Sequence, residues 1–352
     1  MKRLSQALLS TPAVQQGDDA HAPLDLPEKV LQFGTGVFVR GFADYFIDQA
    51  NRAGRFGGRV VTVASTGSGR TRLLNEQDGA FTLCVQGLRN STVIDERHVV
   101  TAISRALSAH DSWSEVLACA ANPDLEVILS NTTEIGIALD EGDAPDLNPP
   151  RSFPGKLTAL LHARARAFDY DRSKGVVVLP LELLENNGDT LCGIVRALAE
   201  RWKLEEAFLA WLDDACLFCN TLVDRIVPGT PGEEQLEALW KDLGYRDDLL
   251  IMAETYRLWA IEGDVTLRER VGFLEADPGI VVAKDITPFR DLKVRILNGG
   301  HTMMVPVALL CGLTTVREAV AWRHQPHEAR KSWFGAGRHE ASDPGLSWYS
   351  AP

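Results

Sequence analysis

The sequence predicts an α/β fold, a doubly wound parallel sheet followed by the start of an all-helical domain, on three observations. Short apolar runs recur along the first half of the chain, helical patterns separate them, and a glycine-rich turn follows the first run. The runs are continuous rather than alternating, as in strands buried on both faces of a parallel sheet. Strand and helix taking turns is the pattern of a doubly wound sheet.

The first run, Val30-Leu31-Gln32-Phe33, ends at Gly34, and Phe42-Ala43-Asp44-Tyr45-Phe46-Ile47 follows at helical spacing. Residues 59–64 form a β-branched run that ends in the Gly67/Gly69 loop. Residues 125–130 form the next, after a helix that Ser112 and Glu115 are placed to open as a capping box. Residues 175–180 form another. From about Thr190 the pattern turns helical, through 194–202, 204–218 and 234–243. After Pro288, Leu292, Ile296, Leu297, Met303, Met304, Val307, Leu309 and Leu310 recur at helical spacing and predict the entry to a second domain.

These readings divide the chain into a loose N-terminal arm (1–27), a dinucleotide-binding Rossmann-type domain (28–285), the start of a helical substrate domain (286–320) and a divergent, poorly ordered tail (321–352). Residues 322–352 contain no Val, Ile, Met or Cys and one Leu, yet hold three of the eight His and three of the eight Trp. No apolar stripe runs through them. His324, Pro326 and His327 lack the further ligands that a metal site needs.

Composition bounds the function. The chain has 352 residues, 45% of them hydrophobic, with 36 Lys and Arg against 48 Asp and Glu for a net charge of −12. That balance argues against nucleic-acid partners and anionic membranes, which need basic surface. No apolar stretch is long enough to span a membrane, and the apolar run at the start is broken by Ser5 and Gln6, so a soluble cytoplasmic protein is expected. No feature of the sequence sets an oligomeric state. The six Cys are too sparse for a disulfide framework. Cys216 and Cys219 form one C-x-x-C inside an apolar helical pattern, which favours burial over a redox pair or half a zinc site.

The chemistry-bearing motifs begin with Gln32-Phe33-Gly34-Thr35-Gly36-Val37-Phe38-Val39-Arg40-Gly41. Glycines after the first strand let the backbone turn tightly and approach a pyrophosphate, which then sits on a helix N-terminus. Val39 replaces the usual third glycine. The second strand ends in Ser65-Thr66-Gly67-Ser68-Gly69-Arg70 without the carboxylate that would hold a ribose 2′-hydroxyl. Arg70 is either a partner for a 2′-phosphate, which would favour NADP, or a solvated loop charge. Ser130-Asn131-Thr132-Thr133-Glu134 follows a buried strand, at the sheet's ligand-binding end. In Asn220-Thr221-Leu222-Val223-Asp224-Arg225-Ile226-Val227-Pro228, an Asp–Arg pair is either a structural salt bridge or a device that shapes a pocket's field.

In Lys293-Val294-Arg295-Ile296-Leu297-Asn298-Gly299-Gly300-His301, α-helical spacing puts Lys293, His301 and Asn298 within one arc of about 140°. A lysine can exchange the hydroxyl proton as a hydride moves, once desolvation and nearby positive charge bring its pKa down from about 10.4. Asn298 can donate to the developing oxyanion and His301 can orient substrate hydroxyls. The alternative is an amphipathic helix whose polar face meets water.

Together these segments resemble the long-chain mannitol dehydrogenase family of metal-independent polyol and sugar-acid dehydrogenases. The resemblance runs from about Val30 to Val320: the G-x-G-x-F-x-R start, Ser-Asn-Thr-Thr-Glu, Asn187-Gly188-Asp189, Val-Asp-Arg-Ile-x-Pro and Lys-x-Arg-x-Leu-Asn-x-x-His. Asn75-Glu76-Gln77-Asp78-Gly79, Ser152-Phe153-Pro154-Gly155-Lys156-Leu157-Thr158 and the stretch Pro180-Leu181-Glu182-Leu183-Leu184-Glu185 are most similar to the family's branch that interconverts tagaturonate and altronate. Mannitol-type members carry an Asn where Leu183 stands, which argues against simple polyol oxidation.

The resemblance implies Lys293 as general acid/base, Asn298 as oxyanion donor, His301 as a substrate-orienting residue and Asp224 near the reacting centre. It implies Phe33, Gly34, Gly36, Phe38 and Arg40 along the cofactor, Asn131 near the nicotinamide, NAD as the cofactor and a small sugar acid as the substrate. A mannitol- or mannonate-type dehydrogenase and an inactive dinucleotide-binding remnant are the alternatives. Family members continue into a longer helical domain, so the change of composition near Val320 predicts a truncated or frame-shifted version.

Overall fold

The computed structural model describes residues 1–9, 11, 23–65, 69–89, 92–132, 135–316 and 318–319. The expected tail 321–352, with its histidines, lies outside the described residues. The chain divides into two compact units, Met1–Ile286 and a second that begins at Thr287, one residue past the expected domain boundary. Each is described by itself.

The first unit carries β1 (Glu28–Phe33), β2 (Arg59–Ala64), β3 (Phe81–Arg89), β4 (Thr92–Val100), β5 (Ile103–Ser108), β6 (Val127–Ser130), β7 (Val177–Pro180), β8 (Leu217–Phe218), β9 (Thr221–Asp224), β10 (Ile251–Glu254), β11 (Leu258–Glu262) and β12 (Ile280–Ala283). The central sheet has the order β5-β2-β1-β6-β7-β8, with every neighbouring pair parallel. From β1 the chain moves outward to β2 and then β5. It returns to β1's other side at β6, which makes the carboxyl ends of β1 and β6 the point where the strand order reverses.

The continuous apolar runs are explained by burial on both faces. Val30, Val127 and Val177 enter one core with Phe42, Phe46, Trp259 and Phe273. Their neighbours Leu31, Ile128 and Val178 enter the opposite core, under helices Phe153–Ala167, Asn187–Arg201 and Glu206–Ala215. Trp259 stacks on Phe273 and lies against Phe42 and Phe46, so one aromatic cluster binds the small sheet to the helix after β1.

Several expectations are corrected. The first nine residues are docked, not loose: the Leu4 amide donates to the Arg246 carbonyl at 2.8 Å, Leu4 and Leu9 are buried, and Arg3 pairs with Glu76 and Asp248. The stretch read as helical beyond Thr190 also contains β8 to β12. Of these, β12-β11-β9 form their own sheet, and β10 joins β3 and β4. These strands are short, and β9 and β10 alternate buried with half-buried positions, so no long apolar run announces them.

Cys216 therefore ends a helix and Cys219 follows an edge strand. Burial pushes both thiols up to about 12, which keeps them protonated and unreactive. The Ser112 capping box does not form, because that hydroxyl donates back to the Ser108 carbonyl at 3.0 Å. Ser152 caps its helix instead, accepting from the Gly155 amide at 2.9 Å. No helix among the described residues is long and apolar enough to cross a membrane.

In the second unit, Thr287–Asp291 leads into a π-helical turn, Leu292–Asn298, and then the α-helix Gly299–Leu310.

Candidate functional site

At the end of β1 the backbone turns through Gly34 at φ +136°. A Cβ there would lie 2.8 Å from the Asn131 carbonyl oxygen, so the close approach of the β1 and β6 ends requires glycine. The turn is held on all sides. The Gly34 amide donates to the Val63 carbonyl at 2.9 Å, and the Asn131 amide to the Phe33 carbonyl at 2.8 Å. The Gly34 carbonyl accepts from the Thr62 hydroxyl at 2.7 Å and the Gln32 side chain at 3.2 Å. Gly36 differs: a Cβ there would meet only the Asn131 side-chain oxygen, at 3.9 Å. The protein leaves open space at Gly36, directly before the helix that begins at Val37. This is the cradle that a pyrophosphate needs.

The third glycine missing at Val39 is found in effect at Gly41, where a Cβ would press on Val227 at 2.9 Å and Ile251 at 3.3 Å. Val39 is buried. Phe38 is partly buried and stacks on Phe42 at 5.0 Å. Two side chains expected along the cofactor point into the core. Phe33 packs on Phe153 at 5.2 Å. Arg40 is 2% exposed, donates to the Leu249 carbonyl at 2.8 Å and lies over the Phe81 ring. Burial brings the Arg40 guanidinium down to about 10. Arg70, by contrast, is exposed and reaches the Thr35 carbonyl at 3.3 Å, across the turn.

Across the crevice, the end of β6 is fixed by Glu182, to which the sequence alone assigns no role. Its carboxylate accepts from the Ser130 hydroxyl at 2.9 Å and from both the amide and the hydroxyl of Thr132 at 2.8 Å. Asn187 is fully buried and ties the segment after β7 to β9, donating to the carbonyls of Pro180, Glu182 and Thr221. A glycine follows at 188 because a Cβ would lie 2.4 Å from the Cys219 backbone.

Asp224 ends β9 and is half-buried. The expected Asp–Arg pair is replaced by another arrangement. Arg225 donates to the carbonyls of Gly41 and Glu254 and lies over the Tyr45 ring at 4.8 Å. Asp224 instead acts on a second carboxylate, Glu254, which burial first and Asp224's charge next raise above its ordinary range. Glu254 also accepts from the Ile226 amide at 2.6 Å.

In the second unit the π-helical turn changes the geometry expected of Lys293 and Asn298. The Gly299 amide reaches the Val294 carbonyl five residues back. Residues five apart then stand on successive turns of the wider helix, so Lys293 and Asn298 come closer in angle than α-helical spacing allows. Such turns occur often at functional sites. His301 follows on the α-helical segment, three residues past Asn298 on the same face. Its Nδ1 donates to the Leu297 carbonyl at 2.8 Å, which presents Nε2 as the acceptor. Lys293 and His301 are half-buried and Asn298 is exposed. Among the described residues no group of three or more His, Cys, Asp or Glu is placed to hold a metal ion.

Comparison with known proteins gives a consistent picture. Residues 28–272 match the mannitol dehydrogenase Rossmann domain and residues 285–332 the mannitol dehydrogenase C-terminal domain. The second match reaches beyond Val320, where the resemblance was expected to stop. The chain is 47% identical over 294 residues to the altronate oxidoreductase of Bacillus subtilis (strain 168), covering 84% of this chain and 61% of that protein. It is 42% identical over 311 residues to the altronate oxidoreductase of Halalkalibacterium halodurans, covering 88% and 60%. The chain thus spans about three fifths of the length of these curated relatives.

Among solved structures, a Pseudomonas fluorescens mannitol 2-dehydrogenase in ternary complex with NAD and D-mannitol superimposes with a TM-score of 0.70 at 23% identity, covering 91% of this chain and 65% of that one. A substrate-free D-sorbitol dehydrogenase gives 0.73 at 22% identity, covering 94% and 68%. The fold, the glycine turn at the strand-order reversal and both family matches agree: the chain belongs to the mannitol dehydrogenase family.

Proposed function

We propose that this chain is an NAD(H)-dependent, metal-independent oxidoreductase that reduces the keto sugar acid tagaturonate to altronate in the cytoplasm. The observation that carries the reading is the 47% identity over 294 residues to a protein named altronate oxidoreductase. The open backbone at Gly36, beside a Gly34 that no other residue can replace without moving Asn131, fits a dinucleotide pyrophosphate. Phe38 flanks that turn, and Asn131 borders it from β6.

Bound NADH supplies the hydride that reduces the substrate carbonyl. The chain's own residues bind, orient and move the proton. Lys293 delivers a proton to the oxygen that becomes the hydroxyl, and Asn298 donates a hydrogen bond to that oxygen as its charge develops. His301, held by the Leu297 carbonyl, offers Nε2 to a substrate hydroxyl. The family resemblance adds Asp224 as a further residue of the same reaction.

The test is NADH oxidation by the purified chain with tagaturonate, alongside NADPH in place of NADH and, in the oxidative direction, NAD+ reduction with altronate, mannonate or mannitol. Turnover with tagaturonate and NADH above the other pairs is the expected result. NADH binding with no turnover of any substrate would instead identify a dinucleotide-binding protein without this activity.

A further inference from the structure

We infer that the buried carboxylate of Glu182 is a positioning group that also favours the oxidised, positively charged form of the cofactor over the reduced form. The inference rests on the NAD(H) reading above and concerns a residue to which that reading assigns nothing. Glu182 stands two residues beyond β7 and is 4% exposed. Its peptide is held on both sides, since its carbonyl accepts from the Leu184 amide at 2.8 Å and the Asn187 side chain at 3.0 Å. Its carboxylate is held by the Ser130 hydroxyl, the Thr132 amide and the Thr132 hydroxyl. All three donors are uncharged, so they fix the group without cancelling its charge.

The topology says which half of a dinucleotide meets that charge. In a doubly wound sheet the group at the end of the second strand holds the adenosine ribose, so β2 and β5 serve the adenosine half. The nicotinamide half then lies over β6 and β7, on the other side of β1. Ser130 and Thr132 bracket Asn131 at the end of β6, and Glu182 clamps both. The oxidised nicotinamide ring carries one positive charge and the reduced ring none. A fixed negative charge in a water-poor site therefore binds the two forms unequally.

A purely structural clamp would support both forms alike, which makes the ratio of the two affinities the deciding readout. Glu182→Gln keeps the size of the side chain. Its oxygen can still accept from Thr132, and its amide can donate to the Ser130 hydroxyl, while the charge is gone. Dissociation constants for NAD+ and NADH are measured by titration on the whole chain, with thermal unfolding as the check on folding. NAD+ is expected to bind about fivefold more weakly to E182Q, with NADH binding changed by less than about twofold. Glu182→Asp retains the charge and should restore the NAD+ to NADH ratio of the parent protein.

Equal weakening of both forms, or no change in either, overturns the inference. Ser130→Ala, which removes one donor and keeps the charge, must leave the ratio unchanged even if E182Q fails to fold. A shifted ratio there overturns the inference too. A parent protein that binds neither nucleotide overturns the NAD(H) reading and this inference with it.

Discussion

In the unit Met1–Ile286 the glycine turn rests on two apolar cores, one on each face of the central sheet, and hydrogen bonds tie it to Thr62 and Val63 of β2 and to Asn131 at the end of β6. In the unit that begins at Thr287, the helix bearing Lys293, Asn298 and His301 leaves Leu292, Val294, Ile296, Met303, Val307, Leu309 and Leu310 exposed. The first region buries most of its large apolar side chains in these cores, and such burial dominates stability. The second buries little of the surface of its helix, on which the proposed proton chemistry is placed. Substitutions in the two regions should therefore report different quantities: folding together with cofactor binding in the first, turnover alone in the second.

The largest expected effect tests the second region. Lys293→Met should lower kcat by about 10²- to 10⁴-fold, the range for removing a positioned acid or base. Thermal unfolding and NADH affinity should stay as in the parent protein. A large drop in melting temperature in that variant would show that the helix matters to folding and would erase the contrast.

Within the first region, Gly34→Ala and Gly36→Ala separate what the fold needs from what the ligand needs. At Gly34 the new methyl meets the Asn131 carbonyl at 2.8 Å on a backbone at φ +136°. A strained position of this kind costs about 1–3 kcal/mol, so urea unfolding should shift to lower denaturant and NADH binding should weaken as well. At Gly36 the nearest atom to the new methyl is 3.9 Å away, so stability should hold while NADH affinity falls. Equal loss of stability in both variants would contradict the assignment of Gly36 to the ligand.

The parts legible from sequence are those where one residue type has one physical use. β1, β2, β6 and β7 were readable because burial on both faces demands unbroken apolar runs. The glycine turn was readable because its position at a βα junction matches what a dinucleotide requires. Arg40 and Arg225 were not, since a charged side chain near glycines gives no hint that it turns inward onto the Leu249, Gly41 and Glu254 carbonyls. Gly41 went unread because its need arises from Val227 and Ile251, which are remote in sequence. The π-helical turn under Lys293 depends on which carbonyl an amide selects, and composition does not record that choice. Glu182 carried a usable signal, an acidic residue directly after the apolar strand Val177–Pro180 and Leu181.

pH offers one more test of the first region. Asp44, on the π-helical turn Arg40–Asp44, is fully buried beneath the glycine turn. Its Oδ2 accepts from the Gln32 amide at 3.2 Å, while its Oδ1 and the Gln32 Oε1 have no hydrogen-bond partner. A proton on Asp44 adds the donor that these two acceptors lack. Burial first raises the Asp44 carboxyl from 3.8 to about 7, with the Asp48 charge also raising it and Gln32 and Arg40 opposing. Between those two values the folded chain holds a proton that the unfolded chain has released. Stability should therefore fall as pH rises from about 4 to about 7 and be unaffected by this group above that. Asp44→Asn removes the titration, so its stability relative to the parent should climb across the same window, by a few kcal/mol at most, in urea unfolding followed at several pH values. Parallel pH profiles for the two proteins would show that Asp44 is ionised in the fold. The same pH series on Lys293→Met should track the parent's unfolding profile, because Asp44 and its buried surroundings are unchanged in that variant.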